Sequence, residues 1–192
     1  MKMKVVLASF LVLFLYFAFS NAKEAGVAEK APLFKAVNAD GEMWNLEDHI
    51  GKSFIVLYFY PAAMTGGCTQ QACAYRDNIE EFKALNAKVV GVSGDNVKGL
   101  QVFRDSQNLN FELLSDPDGS IARMYGAPVG QGGMIERNIG GKSVSLTRGV
   151  TISRWTYIID KEGNIIYKNA DVNAAKDAAE VLAVLKKAQK ES

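Results

Sequence analysis

Cys68 and Cys73 are the only two thiols of the chain, and both fall in the stretch YPAAMTGGCTQQACAYRD, residues 60–77. Thiols can form a structural bridge, ligate a metal, sit buried as small hydrophobes, or exchange electrons with a substrate. On a regular helix, residues five apart differ by about 7.5 Å of rise and roughly 140° of rotation, which separates their Cα atoms by about 8.7 Å. A bridge needs about 4.4–6.8 Å, so it can form only if the first turn opens. A staple that unwinds its own helix and closes so small a loop adds little stability, whereas a reversible redox pair uses the opening. Zinc asks for four ligands, and two thiols with the single His49 fall short of that number. A structural disulfide, the usual meaning of an even cysteine count in an oxidising compartment, stays open at this point. So do two unrelated buried thiols.

The neighbours of Cys68 favour chemistry. It follows Gly66-Gly67 at the expected first turn of a helix, where unpaired N–H groups and the helix dipole favour a thiolate. The glycines let backbone approach a small ligand, and Thr65 offers a hydroxyl three residues before the sulfur. Each feature alone has a plain structural explanation: Gly-Gly as a turn, Thr65 as an N-terminal cap.

The elements that must hold this stretch can be read around it. SFIVLYFY, residues 53–60, is an unbroken apolar, β-branched and aromatic run ending at Pro61, the pattern of a strand buried on both faces. After Gly67 the pattern becomes helical, with Cys68, Ala72, Tyr75, Ile79, Phe82 and Leu85 at three- and four-residue spacing, predicting one helix to about Asn86. KVVGVSG (88–94) reads as a second buried strand, 98–107 as a helix presenting Leu100, Phe103 and Arg104, FELLSD as a short strand, and 119–125 as a short helix. A hairpin is expected around Ala39-Asp40-Gly41 and another in RWTYIID-KEGN-IIYKN, with a last helix over 174–188. Residues 128–153, rich in glycine, read as loop or insertion. The order describes an α/β sandwich with a central mixed β-sheet flanked by helices.

Upstream, Lys2 and Lys4, the apolar run from Val5 to Phe19 and Ser20-Asn21-Ala22 form a secretory pattern, so residues 1–22 are expected to be a signal peptide cleaved after Ala22. The apolar run of about 15 residues is short for a bilayer span, the alternative being an uncleaved anchor and hence membrane attachment. No cysteine lies near Ala22 to carry a lipid. Residues 23–31 read as a linker and 32–192 as one domain, in an exported, periplasmic or otherwise extracytoplasmic protein. Removing the two leader lysines takes the formal charge from +1 to −1, and without a Lys/Arg cluster nothing recommends a nucleic-acid partner.

Pro61-Ala62-Ala63-Met64-Thr65-Gly66-Gly67-Cys68 matches the Pro-x-x-x-Thr-x-x-Cys signature of peroxiredoxins. With YFYP before it, CxxxxC followed by AYRDN, and VVGVSGDN, FELLSDPDGSIARMYG and RWTYIIDKEGNI further on, the chain resembles the bacterioferritin-comigratory, or Q-type, atypical two-cysteine branch of the alkyl hydroperoxide reductase/thiol-specific antioxidant family over residues 32–190. One departure is Gly66-Gly67, where many relatives carry Pro-Gly, a change that bears on rate and not on reaction class.

The resemblance implies a thioredoxin-like fold and a peroxidase acting on hydrogen peroxide and organic hydroperoxides. It makes Cys68 peroxidatic and Cys73 resolving, with an intramolecular disulfide recycled by a thioredoxin-like or other dithiol reductant. It gives Thr65 a hydrogen bond to thiolate or peroxide, lets Pro61 shield the sulfur, places Arg154 in the pocket, and has Gln71 orient that arginine, with Gly67 supporting. No metal, haem, flavin or nucleotide is called for, and a monomer is favoured. Arg76 and Asp77 read as a local ion pair, His49 as a turn or surface residue, and Trp44 and Trp155 as sheet-packing aromatics. The rival on the same fold is an exported thiol-disulfide oxidoreductase, which usually presents Cys-x-x-Cys. From another class comes a binding domain whose cysteines lock a loop.

Overall fold

Strand β3 (Phe54–Phe59) is buried along its full length and organises everything else. Its side chains alternate between two apolar layers, as a strand's must. Phe54, Val56 and Tyr58 join one layer, and Ile55, Leu57 and Phe59 the other. The computed structural model describes residues 29–191, so the leader and most of the linker lie outside the described residues.

In chain order, β1 (Lys35–Asn38) and β2 (Met43–Asn45) form the first hairpin, turning at Gly41 with φ +84°. A 3-10 turn (Leu46–His49) leads to β3. Then come α1 (Gly66–Asp77), α2 (Ile79–Ala84), β4 (Ala87–Ser93), α3 (Val97–Gln107), β5 (Glu112–Ser115) and α4 (Ser120–Met124). A long ribbon of β6 (Val129–Ile139) and β7 (Lys142–Ile152) precedes β8 (Trp155–Ile159), β9 (Ile165–Asn169) and α5 (Asp177–Glu191). The main sheet has seven strands in the order β2-β1-β5-β4-β3-β8-β9. β5, β4 and β3 run parallel, and the flanking pairs are antiparallel, so the sheet is mixed. Cys68, Ala72 and Tyr75 of α1, Phe82 of α2, Leu100 and Phe103 of α3, and Val181 and Leu185 of α5 cover one face. Trp44, Ile121, Tyr125 and Tyr157 fill the other.

Three expectations need correction. The helix expected to run from Cys68 to about Asn86 breaks at Asn78, whose side chain donates to the Ala74 carbonyl at 2.8 Å. An amide that bonds the backbone locally competes with the helical ladder, which periodicity alone does not register. The last helix starts at Asp177 instead of Ala174, because Asn173 gathers the N–H groups of Ala175, Lys176 and Asp177 into a preceding turn. Of the two readings of residues 128–153, loop or insertion, the loop is ruled out: 129–152 form an antiparallel ribbon in register from Val129↔Ile152 to Ile139↔Lys142. Its turn is Gly140-Gly141, with φ +59° and +82°, the two positive angles that a two-residue I′ hairpin requires. Lys30 and Ala31, at the end of the stretch read as linker, pair with Asn164 and Gly163 of the β8–β9 turn.

The ribbon is docked beside the C-terminal end of β4, where the Gly149 N–H donates to the Gly94 carbonyl (3.0 Å) and the Asn96 N–H to the Thr147 carbonyl (3.1 Å). Gly94 has no room for a side chain, since a Cβ there would lie 2.1 Å from the Val150 carbonyl oxygen. Gly94→Ala should therefore push the ribbon off the sheet, lowering stability by about 1–3 kcal/mol in urea unfolding and exposing β6–β7 to limited proteolysis.

Candidate active site

The chain leaves β3 through Tyr60, whose N–H still pairs with the Val92 carbonyl at 3.1 Å. Half-buried Pro61, lacking an N–H, ends the ladder. The loop that follows is held at both flanks. The Ala63 N–H donates to Asp95 Oδ2 at 2.8 Å, and the fully buried Asp95 also accepts from Ser93 Oγ (2.9 Å) and faces Arg148 Nε of β7 at 3.4 Å. Met64 adopts φ +59°, a left-handed angle costly for a side-chain-bearing residue. It is pinned there: its carbonyl accepts from Arg137 Nε of β6 (3.1 Å) and its sulfur from Ser106 Oγ of α3 (3.1 Å).

Thr65 occupies the N-cap of α1 but makes no side-chain cap bond; its hydroxyl donates instead to the Ala62 carbonyl at 2.9 Å. Gly66, Gly67 and Cys68 are the first three helical residues, and the first helical bond runs from the Thr69 N–H to the Thr65 carbonyl at 2.8 Å. Cys68 therefore sits where the positive end of the helix dipole is felt most. Its side chain belongs to the buried core, and the residue is only 2% exposed.

Arg154, directly before β8, donates from Nη2 to Cys68 Sγ at 3.3 Å and from Nη1 to Gln71 Oε1 in a short bond. Gln71 in turn donates from Nε2 to Asp177 Oδ2 at 2.7 Å. The same oxygen accepts from Tyr75 OH at 2.6 Å and Thr156 Oγ1 at 2.9 Å. Gly67 borders this arm: a Cβ there would stand 3.4 Å from Arg154 Nη2, at ordinary contact distance. Tyr75 stacks on Tyr58 at 4.9 Å and Tyr58 on Tyr60 at 5.5 Å. Burial above all pushes the three phenols well above their ordinary range; Cys68 and Asp177 add to it at Tyr58, Tyr58 and Asp95 at Tyr60, and Asp177 at Tyr75. They stay neutral, and Tyr75 stays a donor.

Cys73 is half-buried on the same helix, with Sγ 3.7 Å from Gln107 Oε1. Both thiols are free, and an intact α1 holds them apart. Beside Cys73, Arg76 pairs with Asp77 at 2.8 Å and also donates to the Gln107 carbonyl at 2.6 Å.

Of the residues singled out from sequence, Cys68, Arg154, Gln71 and Gly67 thus meet directly, while Thr65 and Pro61 border the sulfur's loop and Cys73 stands apart. Asp95, Asp177, Arg137 and Arg148 escaped sequence reading, since each acts across more than 30 residues of chain. A cavity of about 660 Å³ between Phe54, Asp160, Ile166 and Val184 lies at the opposite end of the sheet from Cys68. Among the described residues no three His, Cys, Asp or Glu side chains converge to hold a metal, and no helix is long and apolar enough to cross a membrane.

A model of the AhpC/TSA family matches residues 27–168. Peroxiredoxin Bcp of Bacillus subtilis is 36% identical over 160 residues, 83% of this chain and 94% of that protein. Peroxiredoxin Bcp of Escherichia coli is 39% identical over 145 residues, 76% of this chain and 84% of that one. Among solved structures, peroxidoxin BcpB from Mycobacterium tuberculosis superposes with a TM-score of 0.69 at 28% identity, covering 83% of this chain and 96% of its own. The bacterioferritin comigratory protein of Xanthomonas campestris, described with alkyl peroxide reduction activity, gives 0.66 at 31% identity, covering 80% and 90%.

The Asp95–Arg148 pair makes a separate point testable, because Arg148 is 9% exposed and would be left buried without its anion. Asp95→Ala should cost about 3 kcal/mol or more in urea unfolding, and Asp95→Asn, which also removes the anion but keeps an acceptor for the Ala63 N–H, a large part of that.

Proposed function

We propose a catalytic cycle on Cys68 and Cys73 for this chain, which belongs to the AhpC/TSA family and is a thiol-dependent peroxidase of the thioredoxin-like fold. The Cys68 thiolate attacks one oxygen of the peroxide, the O–O bond breaks, and the departing oxygen takes a proton and leaves as water or alcohol. Cys68 keeps the other oxygen as sulfenic acid. The Cys73 thiolate then attacks the Cys68 sulfur, the S–O bond breaks, and the departing hydroxide takes a proton and leaves as water, forming an intramolecular disulfide. A dithiol reductant supplies two electrons and two protons by exchange to restore both thiols.

The observation that carries this reading is the 3.3 Å contact between Arg154 Nη2 and Cys68 Sγ at a helix N-terminus. A guanidinium there favours the anion and offers donors to the peroxide oxygens as charge develops on them. Thr65 has committed its hydrogen to Ala62, which leaves its oxygen lone pairs to accept from a peroxide O–H. Substrates are hydrogen peroxide and organic hydroperoxides, a range supported by the alkyl peroxide reduction ascribed to the Xanthomonas campestris relative. On the leader pattern of residues 1–22, the working protein is exported and starts at Lys23.

Cys68→Ser should abolish peroxide consumption with a generic dithiol, and a variant that still turned over at the parent rate would remove the mechanism. Cys73→Ser should consume one equivalent and stall, with mass spectrometry finding sulfenic or over-oxidised Cys68. Arg154→Ala should slow the second-order oxidation step roughly a hundredfold in stopped flow. For export, N-terminal sequencing of the protein from a native secretory host should begin at Lys23; an intact Met1 in a cytoplasmic fraction would refute it.

A further inference from the structure

Asp177 touches neither cysteine, yet the hydrogen-bonded arm that reaches Cys68 ends on it. Its Oδ2 takes three donors from two elements: Gln71 and Tyr75 of α1, at 2.7 and 2.6 Å, and Thr156 of β8, at 2.9 Å. The direction of the arm follows from donor and acceptor identity. Arg154 can only donate, so the Gln71 face toward it must be Oε1, and Nε2 is then left to meet an acceptor, which Asp177 provides. The carboxylate is fully buried at the start of α5, whose next turns are packed into the core through Ala178, Val181 and Leu182.

The position of the two α1 donors matters as much as their chemistry. Gln71 lies between Cys68 and Cys73, and Tyr75 two residues beyond Cys73, so the bonds to Asp177 bracket the second thiol. About 8.7 Å between the Cα atoms of Cys68 and Cys73 must shrink before a bridge can close, and an opening that spreads from the first turn to Cys73 pulls Gln71, Tyr75 or both from the carboxylate. A buried acceptor stripped of its donors is costly, which opposes the opening.

We infer that Asp177 is the positioning residue and the latch of the redox helix: through Gln71 it braces Arg154 against Cys68, and through Gln71 and Tyr75 it holds shut the segment that must open for Cys73 to resolve. This rests on the proposed cycle and goes beyond it. The two duties pull the two steps in opposite directions. Loosening the carboxylate slows oxidation of Cys68, because Arg154 loses its brace, and speeds disulfide formation, because α1 is released.

The test is rapid-quench kinetics on the full chain with hydrogen peroxide, following sulfenic acid and disulfide separately by trapping and mass spectrometry. Asp177→Asn should slow the first step and accelerate the second, each by about three- to tenfold, the kinetic equivalent of one net hydrogen bond. Tyr75→Phe removes a latch bond and leaves the Gln71–Arg154 arm intact. It should accelerate resolution alone, and it carries the test should Asp177→Asn fail to fold. Both variants should yield less over-oxidised Cys68 at high peroxide, because resolution competes better. Ile159→Val, in the opposite core layer, controls for general loosening and should leave the ratio of the two rates unchanged. Asp177→Asn shifting both steps in one direction, or Tyr75→Phe leaving resolution at the parent rate, would overturn the latch. A parent protein that cycles normally while both variants match it sinks only this inference, whereas a parent that never forms sulfenic acid at Cys68 sinks the cycle beneath it.

Discussion

A sulfur buried to 2% exposure can be an anion only if something positive stands against it, and here that is the Arg154 guanidinium at 3.3 Å together with the N-terminus of α1. Almost every other feature of the site serves to keep those two positive features aimed at one atom. β3 delivers the loop at the right height, the parallel β3–β4 pairing sets Asp95 beside that loop, and β8 places Arg154 next to α1 because Trp155 pairs with Phe59 at the same end of the sheet.

The arrangement is over-determined by two buried carboxylates acting on opposite sides. Asp95 grips the loop before α1 through the Ala63 N–H, and Asp177 grips the middle and last turn of α1 through Gln71 and Tyr75. Between them Met64 is kept at φ +59° by Arg137 and Ser106, a conformation that costs about 1 kcal/mol or more and persists because its neighbours impose it. The β6–β7 ribbon supplies two of these contacts, Arg137 to Met64 and Arg148 to Asp95, so it is a part of the site's scaffold and not an appendage.

What could be read from sequence follows how local each signal is. The apolar runs that became β3 and β4, the hairpins at Gly41 and before IIYKN, and the Pro-x-x-x-Thr-x-x-Cys spacing are carried by neighbouring residues, and all stood out. Arg154 was accessible through its place before WTYIID. The ribbon was missed although NIGGKS holds a two-glycine turn, because its strands are glycine-interrupted and mostly exposed; the inward alternation of Ile135, Arg137 and Ile139 with Val144 and Leu146 is muted by two arginines. Asp95 and Asp177 had no local signature at all. An aspartate after a strand or at a helix start reads as an ordinary cap, and its role emerges only when folding brings Ala63 or Gln71 to it from 32 and 106 residues away.

The charge count around Cys68 suggests why a closed site can also open. Arg154 faces the Cys68 sulfur directly and Gln71 only as a neutral amide, so in the proposed cycle the thiolate adds a charged tie to the guanidinium beside the neutral one through Gln71. In the proposed cycle, oxidation turns that anion into a neutral sulfenic acid, and the strongest electrostatic tie between β8 and the start of α1 disappears in the same step. What then keeps the helix shut is the neutral grip of Gln71 and Tyr75 on Asp177, together with the stacking of Tyr75 on Tyr58. Substrate consumption thus removes one of two restraints on α1 and leaves the other to set how long the sulfenic acid waits, so the same helix can be rigid toward peroxide and yielding toward its own second thiol.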